Sequence, residues 1–174
     1  MWTSSQGHFQ MRALTAPLLG IKIGDIRAYA AEIGGGFGGK TVTYLEPVAV
    51  LLSKKSGRPV RVTMSREEVF KGSGPTSGSP MWVKIGVKKD GTITAADGIF
   101  KFQSGAFPGS PVMNGCLCSF APYAIENMRA VGYDVVSNRP KAAAYRAPGS
   151  PISAFAVESV VDMCAQAIGM DPAE

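Results

Sequence analysis

Apolar positions recur with two different periods along the chain. Phe9, Ala13, Ala16 and the Leu18-Leu19 pair are spaced for a helix over 9–19, with Pro17 weakening its last turn. Ile26, Ala28 and Ala30 alternate within the Ile- and Ala-rich segment 21–33, which reads as a buried strand running into the glycine loop 34–39. Leu45, Val48, Ala49 and Leu52 fall at i, i+3, i+4 and i+7, so a helix over 44–56 follows, with Lys54 and Lys55 in its last turn and Gly57 as its stop. Residues 58–65 alternate Val60, Val62 and Met64 as a strand would, and a short helical turn is expected over 66–70.

From Met81 onward the period is two. Met81, Val83, Ile85 and Val87 alternate with polar or small neighbours, Asp90-Gly91 supplies a turn, and 92–102 returns as the second strand of a hairpin. Asp97-Gly98 marks a change of phase that predicts a bulge. Residues 104–123 read as irregular and rich in glycine and proline. Val131, Tyr133 and Val135 share one side of a strand over 128–137, expected beside the hairpin. The final helix is expected over 151–168, with Ser150 as its cap, Pro151 in its first turn and Gly169 beyond its end. Its apolar stripe is read as Ile152, Phe155, Ala156, Ser159, Val160, Met163, Cys164 and Ala167, with Glu158, Asp162 and Gln166 on a solvated face. The fold class is therefore α+β, with helices packed on a mostly antiparallel mixed sheet. The glycine-, proline- and serine-rich stretch 71–80 places a hinge between sub-lobes 1–70 and 81–174.

Composition narrows the function classes. The 174 residues are 45% hydrophobic and 18% charged, as in an ordinary globular domain, and no secretion signal or run of some eighteen apolar residues is seen, so a cytoplasmic protein without membrane contact is expected. Eighteen Lys and Arg against thirteen Asp and Glu give a net charge of +5, but the basic residues are scattered, which argues against nucleic-acid binding. Three cysteines and a single histidine support neither a metal site nor a disulfide framework, and the thiols are read as buried.

The segment Gly34-Gly35-Gly36-Phe37-Gly38-Gly39-Lys40-Thr41 carries the strongest local signal. It fits both GxGxxG and GxxxxGK[ST], so an ATP- or GTP-binding phosphate loop is one reading. That reading lacks the acidic residue at a strand end that would hold magnesium or a ribose, since Glu46 falls inside a helix. Five glycines in six positions also exceed the needs of a turn, and they point to a backbone that approaches an oxygen-rich ligand closely.

Thr3-Ser4-Ser5-Gln6 before a helix, the glycine loop with Lys40, Gly57-Arg58-Pro59-Val60, Tyr145-Arg146-Ala147-Pro148-Gly149, Phe155-Ala156-Val157-Glu158 and Gly169-Met170-Asp171-Pro172 occur in order and in register. Together they closely resemble the molybdenum-binding subunit of the xanthine dehydrogenase and aldehyde oxidase family, over nearly the whole chain. The resemblance implies part of a molybdopterin-binding domain that holds molybdenum through a pyranopterin dithiolene. It further implies hydroxylation of an aldehyde or N-heterocycle with oxygen from water, and electrons leaving through iron–sulfur clusters, with FAD in some members, on other domains or subunits. Carried over residue by residue, Gln6 and Arg146 are catalytic: Gln6 hydrogen-bonds an oxygen ligand of molybdenum, while Arg146 faces substrate and borders the cofactor. The backbone N–H groups of Gly35, Gly36, Phe37 and Gly38 are implied to hold cofactor oxygens.

Two departures qualify the expectation. Thr41 stands where many members place a glutamate after the loop lysine, and the Gly-x-Gly-Glu segment that carries the family's general base is absent from these residues. The chain is thus expected to be a segment of a larger subunit, inactive by itself and completed by the remainder of that subunit and by iron–sulfur and flavin partners. A non-catalytic interaction domain that kept the fold is the further alternative.

Overall fold

A computed structural model describes residues 1–174 and divides into two compact units, one of residues 1–75 with 143–146, the other of residues 76–142 with 147–174. In the first unit β1 (Trp2–Thr3) pairs in parallel with β2 (Tyr29–Ala30), and the Trp2 and Tyr29 rings stack with centroids 5.5 Å apart. Between them lie α1 (His8–Leu19) and a 3₁₀ turn, Ile23–Asp25. The strand expected over 21–33 is thus reduced to two paired residues, because β1 offers a ladder partner only two residues long. Helix α1 forms as expected but turns Met11, Thr15 and Ala16 inward and leaves Phe9 and Leu18 exposed, correcting the stripe read from its spacing.

Helix α2 (Glu46–Ser56) begins with Pro47 in its first turn and stops at Gly57, as its sequence predicts, and packs beside α1. Residues 58–65 are not a strand: they run without a ladder partner and end at Ser65, which caps α3 (Arg66–Gly72). The cap is reciprocal, since Ser65 Oγ accepts from Glu68 N while Glu68 Oε2 accepts from Ser65 N, so α3 runs two residues longer than the expected turn.

The second unit is built on a three-stranded sheet in the order β3 (Met81–Val87), β4 (Ile93–Gly105), β5 (Asn127–Val136). The hairpin β3–β4 and its neighbour β5 form as expected, and the α+β class holds. The β4–β5 pairing is parallel, so the mixed sheet carries a larger parallel share than the alternation suggested. The bulge lies elsewhere too: Gly86 pairs with Ala95 and Val87 with Ile93, which leaves Thr94 as the extra residue. Asp97 stays in register, where its carboxylate takes two hydrogen bonds from Arg129 on β5 and is held below the usual aspartate range by them. Gly98 is a packing position, because a Cβ there would sit 2.6 Å from the Phe100 ring and 3.3 Å from that of Phe120.

Residues 104–123 are not irregular throughout, since α4 (Val112–Ser119) lies against β5 over Gly132, where a Cβ would meet Cys116 and Val112 within 3 Å. Helix α5 (Ser150–Ile168) packs on α4 and β3. Phe100, Phe102, Phe120 and Val157 are fully buried between sheet and helices, with Phe100 edge-on to Phe120 at 6.5 Å. Each such phenylalanine contributes about 3–5 kcal/mol relative to alanine. The inward face of α5 is Ser153, Val157 and Ala165, whereas Phe155 and Met163 of the expected stripe are 75% and 64% exposed. Gly149 occupies the cap position, and Ser150 is the first helical residue without a capping bond. The thiols also differ from expectation: Cys118 is exposed, and Cys116 and Cys164 are only partly covered.

By length and composition α5 alone could cross a membrane, but Glu158 and Asp162 interrupt its middle and Val157 sits in the core. Glu158 accepts a hydrogen bond from Tyr123. Burial, with help from that carboxylate, pushes the Tyr123 phenol up to about 12. A raised folded-state value favours the protonated phenol, so this stabilisation is complete below the ordinary tyrosine value near 10 and is lost as pH rises through about 12. Ultraviolet titration should show Tyr123 ionising late, and Glu158→Gln should make its ionisation earlier. An unchanged titration in that variant would refute the assignment.

Candidate functional site

The site residues named from the sequence gather in the first unit. The glycine loop runs from Ile33 to Lys40 as irregular backbone, with Gly34, Gly35, Phe37 and Gly38 at positive φ, and the Phe37 side chain 65% exposed. It is held from one side by Gln6, whose Oε1 accepts from Gly38 N at 2.8 Å and from Lys40 N at 3.2 Å. The Gln6 main-chain N–H donates in turn to the Lys40 carbonyl at 3.0 Å. Two N–H donors on one end of an amide require that end to be oxygen, so Nε2 is fixed on the other end and keeps its hydrogens free. Gly36 makes this approach possible, since a Cβ there would lie 2.5 Å from Oε1.

On the loop's other side lies the short segment 143–146. Arg146 N donates to the Phe37 carbonyl at 2.6 Å, and Gly38 packs so closely on Ala144 that a Cβ would meet its carbonyl oxygen at 2.8 Å. The Arg146 guanidinium is exposed and makes no hydrogen bond within the chain. The loop's C-terminal end is fixed by Tyr44, whose hydroxyl donates to Gly39 O and accepts from Gly74 N, both at 3.1 Å. Glu46 is spent on structure: one carboxylate oxygen accepts from the Thr3 hydroxyl at 2.6 Å and the other from Tyr44 N at 2.9 Å.

What remains open is a set of donors. The N–H groups of Gly35, Gly36 and Phe37 make no hydrogen bond within the chain, whereas that of Gly38 is taken by Gln6. Ser5 Oγ, next to Gln6, is buried without a partner. Three main-chain donors, an amide NH₂, a hydroxyl and a guanidinium, with no free carboxylate among them, suit a ligand rich in oxygen and poor in hydrogens. Such a set fits a pyranopterin cofactor with its phosphate and oxygen groups. Two open recesses, about 350 Å³ around Val62 and Met64 and about 470 Å³ around Asp97 and Glu126, do not border it.

The same geometry removes the phosphate-loop reading. Lys40 Nζ donates back to the Ile33 carbonyl, and α2 starts only at Glu46, so the loop does not open onto a helix N-terminus. Thr41 likewise turns inward, its hydroxyl donating to Gly38 O at 2.8 Å. The sequence reading missed Ala144, Tyr44 and the orphaned Ser5 hydroxyl. Only Ser5 carried a signal, as the direct neighbour of Gln6.

Known proteins resemble the chain over its whole length. The model of the molybdopterin cofactor-binding domain matches residues 1–174. The chain is 32% identical to the xanthine dehydrogenase molybdenum-binding subunit of Escherichia coli over 181 aligned residues, covering 99% of this chain and 23% of that protein. It is 32% identical to the aldehyde oxidoreductase of Megalodesulfovibrio gigas, covering 92% and 18%. The crystal structure of the aldehyde oxidoreductase from Desulfovibrio desulfuricans superposes with a TM-score of 0.90 at 26% identity, over 98% of this chain and 19% of that one. The chain thus spans less than a quarter of these relatives, and over that length it belongs to the molybdopterin cofactor-binding domain family of the xanthine dehydrogenases and aldehyde oxidoreductases.

Proposed function

We propose that this chain forms one wall of the cofactor and substrate site of a cytoplasmic molybdenum hydroxylase acting on an aldehyde or N-heterocycle. The observation that carries this is the fixed Gln6 amide beside the open N–H groups of Gly35, Gly36 and Phe37, with Arg146 tied to the same loop. The molybdopterin cofactor, when bound, supplies the redox chemistry that hydroxylates the substrate carbon with oxygen from water. Gln6 Nε2 and the open main-chain N–H groups hold its oxygen atoms without adding charge, and they are in place before binding. Arg146 anchors a carbonyl or carboxylate of the substrate, or stabilises negative charge that develops there, because its planar guanidinium is free and always protonated. Thr41 brings no carboxylate to the pocket.

Glu46 is engaged by Thr3 and Tyr44 and Glu158 by Tyr123, and the general base comes from the remainder of the subunit. Iron–sulfur and flavin groups on other domains or subunits take the electrons. The isolated chain therefore turns over no substrate. The test uses the intact enzyme, with molybdenum per polypeptide and turnover of aldehydes and N-heterocycles to an artificial acceptor measured in wild type and Arg146→Ala. Wild type should hold molybdenum and turn over, and Arg146→Ala should keep its molybdenum but lose about tenfold to a hundredfold in kcat/KM, the worth of a charge-assisted hydrogen bond. An intact wild-type protein that purifies without molybdenum would overturn the reading in favour of an interaction domain.

A further inference from the structure

Lys40 is the basic residue of the loop, and its side chain folds back onto the loop's own start. Its Nζ donates to the Ile33 carbonyl in a partly buried setting, so the ammonium closes the loop from its last residue back to its first. The same residue's main chain grips Gln6 twice, through Lys40 N to Oε1 at 3.2 Å and Gln6 N to Lys40 O at 3.0 Å. The neighbouring Gly39 carbonyl is pinned independently by Tyr44. If the loop's ends part, Oε1 loses the second of its two N–H donors, and Gly38 N alone is left to set which end of the Gln6 amide faces the loop.

We propose that Lys40 is a positioning residue: by clasping Ile33 it holds the loop closed and fixes the Gln6 amide with Nε2 toward the cofactor. The proposal rests on the cofactor reading above. It assigns the lysine a task that needs both its charge and its reach, since a charged donor to a carbonyl is stronger than a neutral one and the carbonyl lies across the whole loop.

The experiment is made on the intact molybdenum enzyme with Lys40→Met, Lys40→Gln and Lys40→Arg. It reads molybdenum per polypeptide and the electron paramagnetic resonance spectrum of the partly reduced metal. Circular dichroism verifies folding. Lys40→Met should lose about tenfold in molybdenum content, with an altered spectrum for what remains. Lys40→Arg, whose guanidinium reaches the same carbonyl, should restore most of both. A merely structural lysine would lower thermal stability without changing the spectrum of the bound metal. If Lys40→Met does not accumulate folded, Lys40→Gln decides, with a fall rescued by Lys40→Arg supporting the clasp. Wild-type content and spectrum in either neutral variant overturn the proposal while leaving the cofactor site intact. A wild-type enzyme devoid of molybdenum overturns the cofactor reading and the clasp with it.

Discussion

Gly38→Ala in the intact enzyme is expected to abolish molybdenum incorporation. Gly38 has φ +98°, where an L side chain is strained, and the new Cβ would lie 2.8 Å from the Ala144 carbonyl oxygen and 2.9 Å from its carbon. Neither atom belongs to a flexible side chain, so backbone must move. The strain and the overlap together cost about 2–6 kcal/mol. That relaxation falls on the site, because Gly38 N is one of the two donors that orient Gln6 and Ala144 is two residues from Arg146, whose N–H bonds Phe37. Molybdenum per polypeptide, measured on enzyme whose circular dichroism matches wild type, tests this. Full occupancy in Gly38→Ala would refute the close packing of loop on Ala144 as the feature that shapes the site.

Gly149→Ala is expected to destabilise the second unit by about 4 kcal/mol, with loss of cooperative melting at ordinary growth temperature as the outcome to look for. Gly149 caps α5 at φ +92° and lies wedged in the first turn of α4, where a Cβ would be 2.4 Å from the Pro111 carbonyl and 2.7 Å from Gly115 N. Gly115 in turn carries the Phe102 ring against it, 3.0 Å from where its own Cβ would be. A methyl group at 149 therefore pushes α4 and α5 apart over the buried phenylalanines. Thermal melting compared with Ser150→Ala, one residue on and without a capping bond to lose, is the measurement. Equal melting of the two variants would show that the wedge carries no load.

Elements whose signals are local were legible in the sequence. The stop at Gly57, the Asp90-Gly91 hairpin and the Pro151-to-Gly169 helix need no distant partner to declare themselves. Elements that depend on a neighbour were not. Ile26, Ala28 and Ala30 alternate like a strand, but a strand exists only where a ladder partner does, and β1 supplies two residues. Val60, Val62 and Met64 alternate with no partner at all. Helix α4 was hidden because Gly115, a poor helix former, is required there by the close approach of Phe102 and Gly149. The buried face of α5 was misread because apolar residues lie on both sides of its Glu158, Asp162 and Gln166 stripe, so spacing alone could not say which of them meet the sheet. For the site, resemblance supplied Gln6, the glycine loop and Arg146. How Oε1 spends itself on the loop depends on contacts between segments distant in sequence, and the return of the Lys40 ammonium to Ile33 depends on how the loop itself curls.

The first unit is finished by residues 143–146, which the chain reaches only after the whole sheet of the second unit has been threaded. During synthesis the ribosome therefore delivers Gln6, the glycine loop and Tyr44 early, but the bond from Arg146 to Phe37 cannot close until the later strands have emerged. Vectorial folding thus leaves the loop half-walled until residues 143–146 have emerged. A nascent chain arrested before residue 143 would display the loop without the segment that completes it.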